Sequence, residues 1–162
     1  MQFARTSVFI SALVLAGFSL GWMASSVGDA KNQVVLPIKL TQSDLAGGAF
    51  ERFTSVDITH EMAGQTWETK DAEIFLSPDK QFEAGVYKSG PVRLDITEDY
   101  GLQEFMYFLE GRVILTSRDG SSVEVGPGEG VLISADWQGI WDSPEGYRKI
   151  YVIYSPNGPI TE

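Results

Sequence analysis

Hydrophobic residues along this chain fall into short runs, not helical stripes. From Lys31 onward ten stretches combine β-branched or aromatic residues with period-two alternation: QVVLPIKL (33–40), TSVDIT (54–59), AEIFLS (72–77), FEAGVYKS (82–89), VRLDIT (92–97), EFMYFLEG (104–111), VILTS (113–117), SVEV (122–125), GVLIS (130–134) and RKIYVIYS (148–155). Short strands at close spacing, parted by turn residues, predict an all-β barrel or sandwich. Asp119-Gly120 in SRDGSS marks a tight hairpin, and GPGEG from Gly126 to Gly130 marks a sharp reversal between strands. One short helical turn is expected within TQSDLAGGAFERF, and SPNGPITE at the end reads as a frayed tail.

Within the strand pattern one position stands out. Glu104 shares a face with Met106 and Phe108, while Phe105, Tyr107 and Leu109 line the other. Both faces are apolar, which predicts a strand held between two layers. A carboxylate there is costly unless it is hydrogen-bonded, protonated or bound to a cation. Glu104 therefore calls for a partner.

The first thirty residues follow a different pattern. Met1 to Arg5 carries a positive charge, and SVFISALVLAGFSLGWMASS is an uncharged, mostly apolar run without helix caps. Residues 1–30 read as a signal peptide, with small residues suited to cleavage after Ser26 or Ala30, or as an uncleaved anchor over residues 7–26. Either places the remainder, 31–162, outside the cytoplasm as a secreted, periplasmic or membrane-anchored domain. Membrane contact is expected only if the segment is retained.

The chain has no cysteine, which excludes a disulfide framework, a thiolate zinc site and a cysteine nucleophile. Its net charge of −10 and the lack of a Lys/Arg cluster argue against nucleic-acid binding. The single histidine, His60 in DITHEMAG, reads as an exposed turn residue.

The region 82–154 resembles the cupin superfamily. The residues that carry the likeness are Glu104, the Leu109 to Arg112 turn, Asp119-Gly120, Gly128-Glu129, GIWD from Gly139 to Asp142 and RKIYVI from Arg148 to Ile153. Within the superfamily the pattern is most similar to the (S)-ureidoglycine aminohydrolase and ethanolamine-utilisation type of cupin domain. The resemblance implies a double-stranded β-helix, or jelly roll, with a ligand pocket inside the barrel and frequent packing as a homodimer.

Metal-binding cupins set imidazoles and a glutamate around a divalent ion. Here the glutamate is present as Glu104, whereas the paired histidine positions map to Glu98 and Tyr100, or to Thr97 and Asp99, and the later one to Gly139. No metal cofactor is therefore expected. The alternative is a hard cation such as manganese held through oxygens of Glu98 and Glu104.

Parity and the resemblance together nominate Glu104, Tyr87, Tyr100, Met106, Phe108, Trp137, Trp141 and Lys149 as ligand contacts, with Leu102 following Tyr100 if the chain stays extended. Lys149 is also a candidate ion-pair partner for Glu104. Three functions remain open at this level: a metal-free barrel that binds a small organic ligand; an enzyme using Glu104 with a metal or as an acid/base; and a structural or interaction module with a filled barrel.

Overall fold

Alternation decides which face a strand buries, and the computed structural model, which describes residues 36–160, contains ten strands, most of which alternate in burial. They are β1 (Ser55–Met62), β2 (Gln65–Leu76), β3 (Phe82–Ser89), β4 (Val92–Ile96), β5 (Gln103–Gly111), β6 (Val113–Ser117), β7 (Ser122–Val125), β8 (Gly130–Ile133), β9 (Gly139–Ser143) and β10 (Tyr147–Tyr154). Antiparallel pairing builds a six-stranded sheet in the order β1-β2-β3-β10-β5-β8 and a four-stranded sheet in the order β4-β9-β6-β7. The core lies between them, where Leu94, Ile96, Leu115 and Trp141 of the smaller sheet join Met106, Phe108, Tyr147 and Ile153 of the larger. The all-β, cupin-like expectation holds for this region.

Several local expectations need correction. The described part of QVVLPIKL, residues 36–40, forms no strand. The first half of β2, QTWETKD, and all of β9, GIWDS, are strands that carry too little hydrophobic signal to stand out; β9 buries Trp141 between the small residues Gly139 and Ser143. SRDGSS does close the β6-β7 hairpin. GPGEG is a crossing, not a hairpin: it carries the chain from β7 in one sheet to β8 in the other. The tail is tied down as far as Ile160, whose N–H donates to the Lys80 carbonyl at 2.7 Å.

The expected helical turn is a wide turn at Asp44–Gly48 running into the short helix α1 (Ala49–Arg52). Ala49, Phe50 and Phe53 cover Ala72, Val86 and Ile150 on the outer face of the larger sheet. This cover is partial. Phe105 and Tyr107 of β5 remain 46% and 38% exposed, so β5 is buried on one face only and not on both. The expected leader or anchor, residues 1–30, lies outside the described residues. Among those described, no helix is long and apolar enough to cross a membrane.

Candidate functional site

The inner face of the larger sheet carries the chemistry. Register places Glu104 of β5 beside Ile153 of β10, and a bulge between Arg148 and Lys149 sets Lys149 beside Phe108, with its side chain on the inner face. The Lys149 ammonium donates to Glu104 Oε1 at 2.6 Å and to Met106 Sδ at 3.1 Å. Tyr100 donates its hydroxyl to the other Glu104 oxygen. The partner that Glu104 calls for is thus supplied twice by the chain itself.

Three aromatic rings surround the ammonium: Trp141 at 5.3 Å, Tyr87 at 5.4 Å and Tyr147 at 5.7 Å from Nζ. Ring faces attract a cation, and the attraction strengthens where water is excluded. Here it is excluded, because the Lys149 and Glu104 side chains are only 6% and 1% exposed. Burial pushes the Tyr87 and Tyr147 hydroxyls up, so both stay protonated in the neutral range. The Trp141 indole N–H is buried without a hydrogen-bond partner.

The fold therefore brings together seven of the eight nominated contacts: Glu104, Tyr87, Tyr100, Met106, Phe108, Trp141 and Lys149, all buried. Leu102 joins them, as the extended reading of that loop requires. Trp137 is separate. It is half-buried, donates to Ser117 Oγ at 3.1 Å, meets the Tyr100 ring edge-on and lines a cleft of about 280 Å³ with Leu115, Val131 and Ile133.

The alternative cation site does not assemble. Glu98 and Asp99 are exposed, and Asp99 accepts a hydrogen bond from Gln138 at 2.8 Å. A side chain at Gly139 would place its Cβ 2.3 Å from the Thr116 carbonyl oxygen, so the later histidine position has no room for an imidazole. His60 is not an exposed turn residue: it lies in β1, stacks on Trp67 at 4.8 Å and contacts Thr69 Oγ1 at 2.9 Å. Among the described residues no group of three or more acids or histidines is placed to hold a metal ion. Both Glu104 oxygens already accept hydrogen bonds, one from an ammonium and one from a phenol.

Sequence reasoning missed a second polar cluster on the same inner face. The Tyr151 hydroxyl of β10 lies 2.5 Å from Glu83 Oε1 of β3 and 3.0 and 3.2 Å from the two Asp71 oxygens of β2. Burial, reinforced by the Glu83 charge, raises Asp71 to about 7; burial also raises Glu83. The signal for Glu83 was parity, since it shares a face with Gly85 and Tyr87. For Asp71 the signal was weak, because in its half of β2 only Trp67 and Thr69 mark the inner face.

Residues 76–151 match the model of the EutQ-like cupin domain. A EutQ protein from Clostridium difficile is 20% identical, with a TM-score of 0.50 over 74% of this chain and 82% of that one. A DUF861-family protein of unknown function from Pseudomonas syringae pv. tomato is 23% identical, with a TM-score of 0.54 over 60% of this chain; the match spans 44% of that protein's length. At these identities the likeness concerns the fold. No curated protein sequence matches the chain.

Proposed function

We propose that this cupin-superfamily protein is an exported, non-catalytic module whose barrel is closed by its own lysine and whose outer sheet face pairs with a second copy of the chain. The observation that carries the reading is the buried Lys149–Glu104 pair, with Nζ to Oε1 at 2.6 Å. An ammonium standing against the glutamate gives it the positive charge that a divalent ion gives it in metal-binding relatives. Aminohydrolase-like chemistry on Glu104 would first have to displace that ammonium. Export rests on the apolar segment at residues 1–30.

The outer face supports the pairing. Phe75, Phe82, Phe105, Tyr107, Leu132 and Tyr154 are all exposed, and register sets Tyr154 beside Phe82 and Phe105 beside Leu132. Together they expose on the order of 500 Å² of largely apolar side chain, which is at the upper end of the largest patch on an ordinary monomer. Adding the Ala84 and Val152 surface between them brings the face towards the roughly 800 Å² per partner that a stable dimer buries. Both faces would be uncharged at their centre, which suits self-association of a chain with net charge −10.

A second reading, a small organic ligand within the barrel, is favoured by the unpartnered Trp141 N–H, which an acceptor on such a ligand would satisfy. Thermal unfolding with manganese, magnesium, sugars, amines, ureides and small acids separates the readings. The closed module shows no ligand-dependent shift, whereas an occupied barrel is stabilised in proportion to ligand concentration. A stoichiometric divalent ion that is lost in Glu104→Gln would overturn the proposal. Sedimentation analysis tests the pairing: a dimer that Phe105→Glu with Leu132→Asp converts to monomer supports it, and a monomeric wild type defeats it.

A further inference from the structure

Two buried carboxylates meet one hydroxyl in this barrel, and a hydroxyl has a single proton to give. Asp71 and Glu83 are 2% and 3% exposed, and Tyr151 between them is 1% exposed. The shorter contact, 2.5 Å, runs to Glu83, so the Tyr151 proton belongs there. Asp71 then faces lone pairs of the same oxygen at 3.0 and 3.2 Å. If Asp71 were ionised, two acceptors would be pressed together with no hydrogen between them, in an almost fully buried site.

We propose that Asp71, Tyr151 and Glu83 form a proton-holding site, in which a protonated Asp71 donates to the Tyr151 oxygen and Tyr151 donates to ionised Glu83. The site carries one negative charge when loaded and two when it loses its proton to solvent. It is built for close approach. A Cβ at Gly85 would lie 2.5 Å from the Tyr151 oxygen and 2.6 Å from the Ala72 carbonyl, so only glycine leaves the hydroxyl its position.

The surroundings do not supply a dedicated counter-charge. Glu73 on β2 and Glu104 on β5 act on the site as further negative charges, and Lys149 on β10 is the cation that acts on Asp71. Lys149 is already committed to Glu104 at 2.6 Å. The smaller sheet contributes Val92, Leu94, Ile96, Val113, Leu115, Val125 and Trp141 to the core, none of which carries a charge. A proton is the simplest positive charge that fits the gap.

The consequence is a folded state that holds a proton its unfolded chain has released. Asp71 rises from 3.8 to about 7 on folding, so the stabilisation is complete below the lower value and is lost as pH climbs through the upper one. Across that window the folded-to-unfolded ratio falls about tenfold per pH unit for one proton. The experiment is thermal unfolding of the full chain from about pH 5 to about pH 8, paired with infrared spectra of the carboxyl region over the same range.

The wild type is expected to lose melting temperature as pH rises and to lose a protonated-carboxyl band in step. Asp71→Asn places an amide N–H where the proton was, so both the slope and the band should vanish. Tyr151→Phe removes both the acceptor of the Asp71 proton and the donor to Glu83, so the pH at which the band is lost should shift, which a purely structural tyrosine would not cause. Stability that is flat or rising across the window, or a band that survives in Asp71→Asn, overturns the proposal. If that variant does not fold, the wild-type spectra decide alone: no protonated carboxyl near pH 6 overturns it. Stabilisation at pH 8 by manganese or magnesium that requires Asp71 also overturns it, because the site would then hold a metal.

Discussion

Glu104 and Asp71 are both carboxylates on the inner face of one sheet, both almost fully buried, and the chain treats them in opposite ways. Glu104 has a lysine at 2.6 Å and a tyrosine donating to its second oxygen, so its negative charge is matched inside the barrel. Asp71 has a tyrosine oxygen at 3.0 Å and a second carboxylate beyond it, so its charge is met by more negative charge. Two acids buried to the same degree thus have opposite electrostatic surroundings. At Asp71 burial and the neighbouring Glu83 charge act together to favour the protonated acid, whereas beside Glu104 the chain places a cation.

The comparison breaks most visibly at Lys149. Lys149→Met leaves Glu104 buried without its cation and is expected to cost about 3–5 kcal/mol in urea unfolding, because removing one partner of a buried pair strands the other. Adding Glu104→Gln to that variant should recover most of the loss, since the stranded charge is then gone. Failure of the second change to rescue the first would mean that Lys149 stabilises through its contacts with Trp141 and Tyr87, not through the acid.

A smaller effect sharpens the other side. Gly85→Ala pushes on Tyr151 and on the β2 backbone, and is expected to cost about 1–3 kcal/mol as an overpacked core position. It should also displace the hydroxyl from Asp71 and Glu83 and so alter the pH dependence of melting, which Lys149→Met combined with Glu104→Gln should alter less. On the outer face, Phe105→Ser touches neither acid and should change monomer stability by no more than about 0.5 kcal/mol in the same denaturation measurement.

The difference also shows why one acid was legible in the sequence and the other was not. Glu104 interrupts a run of aromatic and aliphatic residues, so a simple period-two count puts it indoors and raises the question of its partner. Lys149 could be nominated by the same count, because it alternates with Tyr147 and Tyr151 along β10. Asp71 follows Glu68 and Lys70 in a stretch whose alternation is carried by Trp67 and Thr69 alone. Little in that pattern marks its inner face until β3 lies beside it.

Local composition also misjudged the exposure of one face of β5. Phe105, Tyr107 and Leu109 look as buried in sequence as Met106 and Phe108, yet the first two stand on the open side of the six-stranded sheet. The short helix at Ala49–Arg52 covers only the Ala72, Val86 and Ile150 part of that side. Hydrophobicity records that a residue prefers cover; the cover itself comes from another element or another molecule.

The sequence by itself determined the all-β architecture, most strand positions, the turn at Asp119-Gly120 and the inward parity of Glu104, because these depend on residues within one strand or one turn of each other. It also sufficed to set the imidazole sites of the metal-binding pattern aside, since the residues are simply different. Only the tertiary structure decided that Lys149 and Tyr100 satisfy Glu104, that Trp141 is buried in the core while Trp137 lines a cleft at its margin, and that Asp71, Glu83 and Tyr151 converge. Each of these depends on strand order. β10, at the end of the chain, lies between β3 and β5, and that single placement carries one lysine to Glu104 and one tyrosine to the two remaining acids.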